Sequence, residues 1–213
     1  MRPDQVTAWI SDARFHAFFE ASGQDHGRAV ALYNWNAEVS AAFLEVLYHL
    51  EILLRNAIDH QFPDTASDAS LSICVAEVWL CDPDLLTDES RERVNEAIQR
   101  LTVEGRPATR GRVIASLSFG FWRALFGGRY EDLWRSHLRG TFPNGNGRRR
   151  QVNRLDSSIG QFRNRVAHHE AIFSLDLEKK HREQLELAGL IDTEAGDYIA
   201  ALSRVNKLLL ERP

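Results

Sequence analysis

The chain has 213 residues, 44% of them hydrophobic and 26% charged, with a formal net charge of −4. That balance excludes a disordered polar chain and fits one globular domain over residues 1–213 with a substantial core. No run of some 18 apolar residues appears and MRPDQVTAWISD lacks an apolar leader, so the expectation is a cytoplasmic chain with no membrane partner.

Residues 4–20 carry Trp9, Ile10, Phe15, Phe18 and Phe19 and predict a first helix that stops near Gly23. Residues 25–62 contain no proline, and Phe43, Leu47, Leu50, Leu54 and Ala57 step by four and three, which predicts a long helix with a buried seam. Within it Glu51 and Arg55 are spaced i, i+4 with the acid first, and Asn56 follows. Two readings stand side by side: a local ion pair, or polar groups that support a functional site.

Cys74 and Cys81 have six residues between them, outside the two to four of common zinc pairs, and read as reduced thiols. Asp82-Pro83 closes a turn, and Thr87 or Asp88 caps a helix through Leu101. Residues 113–126 are strongly apolar and compatible with strand or helix; a helix is expected, with Gly120 permitting close approach of a neighbour. Residues 130–138 predict a short helix, and FPNGNGRRR a mobile basic loop. After Phe173, two amphipathic helices separated by residues 189–196 complete a bundle.

The informative stretch is LDSSIGQFRNRVAHHEAIF, residues 155–173. Val152, Leu155, Ile159, Phe162, Val166 and Phe173 assign one face to a core. Asn164 and His168 then fall on the opposite face one turn apart, with Arg163 on the flank. A cation, an amide and an imidazole at one helix end suit phosphodiester chemistry. His169 falls about 40° from the centre of the apolar stripe and reads as structural. Arg55, Asn56 and His60 repeat the order Arg-Asn-x-x-x-His, but the basic stretch of the chain runs into the later copy, which is therefore assigned the site.

RNRVAHHE resembles the Arg-x4-His signature of HEPN ribonucleases, and AHHEAIF the Abi-like (abortive infection) branch of that superfamily. LYNWNAEVSAAF, LEILLRNAIDH and VIASLSFGFWRALFGGRYEDLW are similar to the same branch, so the resemblance covers most of the chain. It implies an all-α HEPN-like helical bundle with additional helices. It further implies a metal-independent endoribonuclease, with no cofactor, that leaves a 2′,3′-cyclic phosphate. Arg163, Asn164 and His168 would be catalytic, and His169, Glu51, Arg55 and Asn56 supporting. It also implies a homodimer in which two motif copies face each other, and a role in phage defence or as a toxin with a protein or RNA antitoxin. The Tyr that follows the His in HEPN toxins silenced by a nucleotidyltransferase has no counterpart, since the next Tyr is Tyr198.

Charge distribution bears on the substrate. Residues 105–165 hold thirteen Arg against Glu131, Asp132 and Asp156, so that stretch is +10 and the remainder −14. A basic segment joined to the site suits RNA, and Arg148, Arg149, Arg150, Arg154 and Arg165 are the expected phosphate contacts. The alternatives are a helical module that binds RNA or a nucleotide without cutting it, and a regulatory scaffold whose Arg-rich loop meets an acidic partner. No Gly-rich phosphate loop, His-Glu-x-x-His helix or Gly-x-Ser-x-Gly elbow is found.

Overall fold

The computed structural model describes residues 9–62, 79–145 and 148–213. These form ten α-helices: α1 Asp12–Ala21, α2 His26–Asp59, α3 Asp88–Val103, α4 Arg110–Ser116, α5 Phe119–Ala124, α6 Glu131–Ser136, α7 Arg149–Ala167, α8 Leu177–Ile191, α9 Thr193–Leu202 and α10 Val205–Leu210. No strand occurs among the described residues, so the protein is all-α. Among them, too, no helix is long and apolar enough to cross a membrane. The chain divides into two compact units, the first made of Met1–Leu50, Ser157–Gly189 and Glu194–Pro213, the second of Glu51–Asp156 and Leu190–Thr193.

In the first unit, α1 stops where Gly23 and Gln24 both adopt positive φ, 64° and 63°. Asp25, expected inside the long helix, is instead its cap: Oδ1 accepts from Arg28 N at 2.9 Å, satisfying a donor that the first turn would leave open. Phe15 and Phe18 are the buried face of α1, and Phe18 packs on Tyr33 and Phe173 with ring centroids 5.3 and 5.0 Å apart. Phe43 of α2 meets Phe162 of α7 edge-on at 4.7 Å. Both are fully buried, and Phe43→Ala would cost about 3–5 kcal/mol through lost transfer energy and the cavity left behind. Trp35 Nε1 donates to Leu208 O at 2.7 Å and fixes α10.

The glycines expected to separate two C-terminal helices have another use. Gly189 lies inside α8 and Gly196 inside α9, and a Cβ on Gly196 would stand 3.1 Å from Gly189 Cα and N. Missing side chains let two backbones cross, and the break falls at Asp192 instead. A further break at 203–204 yields three helices where two were expected.

The second unit is organised on Asp59, the last residue of α2. Its carboxylate accepts from Arg110 Nε and from Trp79 Nε1, each at 2.9 Å, and Arg110 also reaches Phe62 O at 2.6 Å. Phe62 stacks between Trp79 at 4.0 Å and His137 at 4.7 Å. Thr87 caps α3, with Oγ1 accepting from Ser90 N at 3.4 Å. Cys81 is a free thiol, raised in pKa by burial, while Cys74 lies outside the described residues.

The single helix expected over 113–126 is two, α4 and α5, because Leu117 and Ser118 are extended (ψ 138° and 158°). Ser116 Oγ donates back to Arg112 O at 2.8 Å, a local bond that competes with helix continuation. Gly120 is exposed and meets only Ser118 Oγ at 3.7 Å, so it serves no close helix approach. The expected basic loop is shorter than FPNGNGRRR: Asn144 is tied to Leu190 O and Thr193 Oγ1, Arg149 and Arg150 already belong to the first turn of α7, and residues 146–147 lie outside the described residues. Asp156 is buried and paired with Arg123 at 3.1 Å.

Candidate functional site

The last turns of α7 lie in the first unit. Ile159, Phe162 and Val166 are buried there, which leaves Asn164 exposed and Arg163 half-buried. The helix ends at Ala167. His168 N still donates to Asn164 O at 2.9 Å, so His168 stands one full turn beyond Asn164, and it is exposed. Among the described residues, no side-chain hydrogen bond or ion pair occupies Arg163, Asn164 or His168.

The backbone beyond them is held tightly. His169 adopts φ 55°, its N–H bonds to Val166 O at 3.0 Å, and Glu170 N–H bonds to Arg165 O at 2.9 Å. Together these make a complete Schellman stop with histidine in the left-handed position that glycine usually fills. The left-handed conformation costs an L-residue roughly 1–2 kcal/mol, so the surroundings must enforce it. Arg14 Nη2 donates to His168 O at 3.2 Å and His169 O at 2.6 Å, placing a cation on the negative end of the helix. Asn36 is buried, and its Oδ1 accepts from Ile172 N at 2.8 Å and Phe173 N at 3.1 Å. Arg165 closes the turn through Glu170 at 3.1 Å and Ala171 O at 3.0 Å.

This geometry bears on two expectations. His169 is structural through its main chain; the helical wheel that set it beside the apolar stripe no longer applies past Ala167, and its ring is exposed. Arg165, expected to meet phosphate, is committed to the turn. Arg14 and Asn36 do what sequence reasoning missed. Asn36 could have been singled out as a polar residue on the buried face of α2, within NWNAEV; Arg14 carries no local signal.

In the second unit, Arg149 is likewise committed, to Glu131 at 2.9 Å and Gly127 O at 3.0 Å. Arg106, Arg110, Arg123, Arg129 and Arg135 also pair with carboxylates. Much of the positive charge counted along 105–165 is therefore neutralised by acids such as Asp59, Glu89 and Glu104 that lie outside that stretch. Arg148, Arg150 and Arg154 remain exposed and without an ion pair among the described residues. Arg150 and Arg154 are i, i+4 neighbours at the N-terminal half of α7, a like-charge pair that the helix dipole also disfavours.

Glu51, Arg55, Asn56 and His60 belong to the second unit. Arg55 makes no ion pair among the described residues, so of the two readings the local Glu51–Arg55 pair does not form, and Arg55 Nε is buried without an acceptor. The earlier motif copy ends its helix as the later one does: His60 N bonds to Asn56 O at 3.0 Å, one residue past α2. It lacks the left-handed residue that follows His168. Among the described residues, no three His, Cys, Asp or Glu side chains gather closely enough to hold a metal ion. Comparison of the chain with protein-family models, with curated proteins and with solved structures gave no match.

Proposed function

We propose that the protein is an HEPN-type endoribonuclease of the Abi-like kind that cleaves RNA without a metal ion. The observation that supports it most is an uncommitted trio, half-buried Arg163 with exposed Asn164 and His168, at the end of a helix held by Arg14, Asn36 and Arg165. A rigid frame carrying unpartnered polar groups is the arrangement that catalysis by positioning requires.

In the reaction, His168 removes the proton of the ribose 2′-hydroxyl as its oxygen attacks the adjacent phosphorus, the bond from phosphorus to the 5′-oxygen breaks, and that oxygen takes a proton from water. Arg163 balances the charge that grows on the phosphoryl oxygens, and Asn164 orients the phosphate or ribose by its amide. The products are a 2′,3′-cyclic phosphate and a 5′-hydroxyl end. Arg148, Arg150 and Arg154 supply phosphate contacts along the RNA. The chain acts as a homodimer, in growth arrest during phage infection or as a toxin held by an antitoxin.

The test is expression of wild type, His168→Ala and His60→Ala in bacteria, scoring growth and RNA integrity. Wild type and His60→Ala are expected to arrest growth and fragment RNA, and His168→Ala to do neither. With purified protein, cleavage should persist in excess chelator. Equal growth and intact RNA in all three strains would remove the ribonuclease reading; a folded, inactive His60→Ala protein would move the site to both motif copies.

A further inference from the structure

The first unit holds a second group of reactive side chains that the ribonuclease chemistry does not use. His181 of α8 is 3% exposed. Its Nδ1 lies 3.2 Å from Asn206 Oδ1 and its Nε2 lies 2.8 Å from Ser203 Oγ. A carboxamide oxygen can only accept, so Nδ1 carries the ring proton and Nε2 presents its lone pair to the serine hydroxyl. Burial lowers the pKa of His181 and keeps the ring neutral, with Phe43 packed edge-on against it at 6.2 Å.

Ser203 sits where α9 ends. Its own N–H is taken by Ile199 O at 3.1 Å, and its Oγ receives Val205 N–H at 3.3 Å. A hydroxyl serving only to close this turn would have no need of a neutral imidazole oriented by an amide. Moreover Ser203 lines a cleft of about 220 Å³ with Glu45, Val46, His49, Ile199 and Leu202. Its surroundings are apolar and aromatic: Tyr198 and Leu202 are 60% and 48% exposed, and the Tyr198 ring stands 6.2 Å from that of His49. Glu45 is held by Arg204 in a two-point ion pair, at 3.0 Å to Nε and 2.6 Å to Nη2, so the carboxylate in the cleft wall is neutralised. Nucleophile, base and orienting amide are thus joined in one chain of hydrogen bonds that opens on an apolar cleft.

We propose that Ser203, His181 and Asn206 form a second reactive centre that attacks short-chain apolar acyl esters held in this cleft. Ser203 Oγ forms a bond to the ester carbonyl carbon while its proton passes to His181 Nε2. The C=O π pair moves onto oxygen and returns as the C–O bond to the alcohol breaks, the alcohol leaving with the proton from Nε2. Water then repeats the sequence on the acyl-serine and releases the carboxylic acid. Val205 N–H donates to Ser203 Oγ itself and helps to hold the hydroxyl in place. Asn206 is a positioning residue that holds the tautomer.

The experiment exposes the full chain to an alkyl fluorophosphonate, which loses fluoride on capture by an activated serine, and separately to p-nitrophenyl butyrate. One label per chain on Ser203 by peptide mass spectrometry, with release of p-nitrophenol, is the expected result. Ser203→Ala should abolish both, and His181→Gln should slow both by about 10²-fold or more. Asn206→Asp should retain labelling, whereas Asn206→Leu should lose it with the melting transition preserved, a split that a packing role would not produce. Ser174→Ala, at an exposed serine, should label as wild type. An unlabelled folded wild type, a label elsewhere, or labelling that survives Ser203→Ala would overturn the proposal. The reagents do not probe RNA cleavage, so failure here leaves the ribonuclease reading where it stood.

Discussion

One guanidinium nitrogen of Arg14 donates to the main-chain carbonyls of both His168 and His169, at 3.2 and 2.6 Å. Those carbonyls belong to the end of α7, where main-chain partners run out, and a cation is the favoured group there. Arg14→Ala should therefore slow RNA cleavage at a cost of only about 1 kcal/mol in stability, because the bonds lie in a solvent-exposed setting. Single-turnover cleavage beside thermal melting would check it. An unchanged rate would mean that the turn does not position His168.

The adjacent histidines should behave oppositely. His169 supplies a left-handed backbone and no side-chain contact, so His169→Gly should leave cleavage intact and raise stability by roughly 1 kcal/mol. His168→Ala should lower the cleavage rate by roughly 10² to 10⁴-fold with melting unchanged. Loss of cleavage in a well-folded His169→Gly protein would transfer the chemistry to the second ring.

Arginines that look alike in sequence should separate by experiment. Replacing Arg148, Arg150 and Arg154 with Gln should weaken single-stranded RNA binding and reduce the slope of log affinity against log salt by about 2, at roughly 0.7 for each phosphate no longer neutralised. Arg149→Gln and Arg165→Gln should lower the melting temperature and leave that slope alone, since both are engaged within the protein. Anisotropy titrations across a salt series distinguish the two groups.

Asp156 should give stability a pH dependence of unusual sign. Burial pushes its carboxyl up to about 7, against the opposing pull of Arg123. The folded protein then holds a proton that the unfolded chain, with an ordinary value of 3.8, has released, so stability from this group is fully present below about pH 4 and lost as pH rises through 7. The upper limit of that change is about 4 kcal/mol, from some three units at 1.36 kcal/mol each. Asp156→Asn should flatten the fall in melting temperature between about pH 4 and 7. Arg123→Met should cost about 3–5 kcal/mol at pH 8 by stranding a buried charge, and the double variant should recover most of it.

Periodicity determined that most of this chain is helical, that Phe43, Leu47, Leu50 and Leu54 face a core, and that Ile159, Phe162 and Val166 do so while Asn164 and His168 do not. Those properties follow from 3.6 residues per turn and the transfer of apolar surface from water, both of which act over a few neighbouring residues. Where helices break was less legible. Leu117 and Ser118 become extended inside an apolar run, and Gly189 and Gly196 make a helix crossing rather than a linker, because each choice depends on what packs against it. The tertiary structure decided which charges are spent. Arg149 and Arg165 meet acids and carbonyls while Arg150 and Arg154 do not, and His181, in a segment that reads only as an amphipathic helix, is buried on Ser203 and Asn206. Partners for a charge or an imidazole come from any part of the chain that folding brings within 3 Å or so, and no local pattern records that distance.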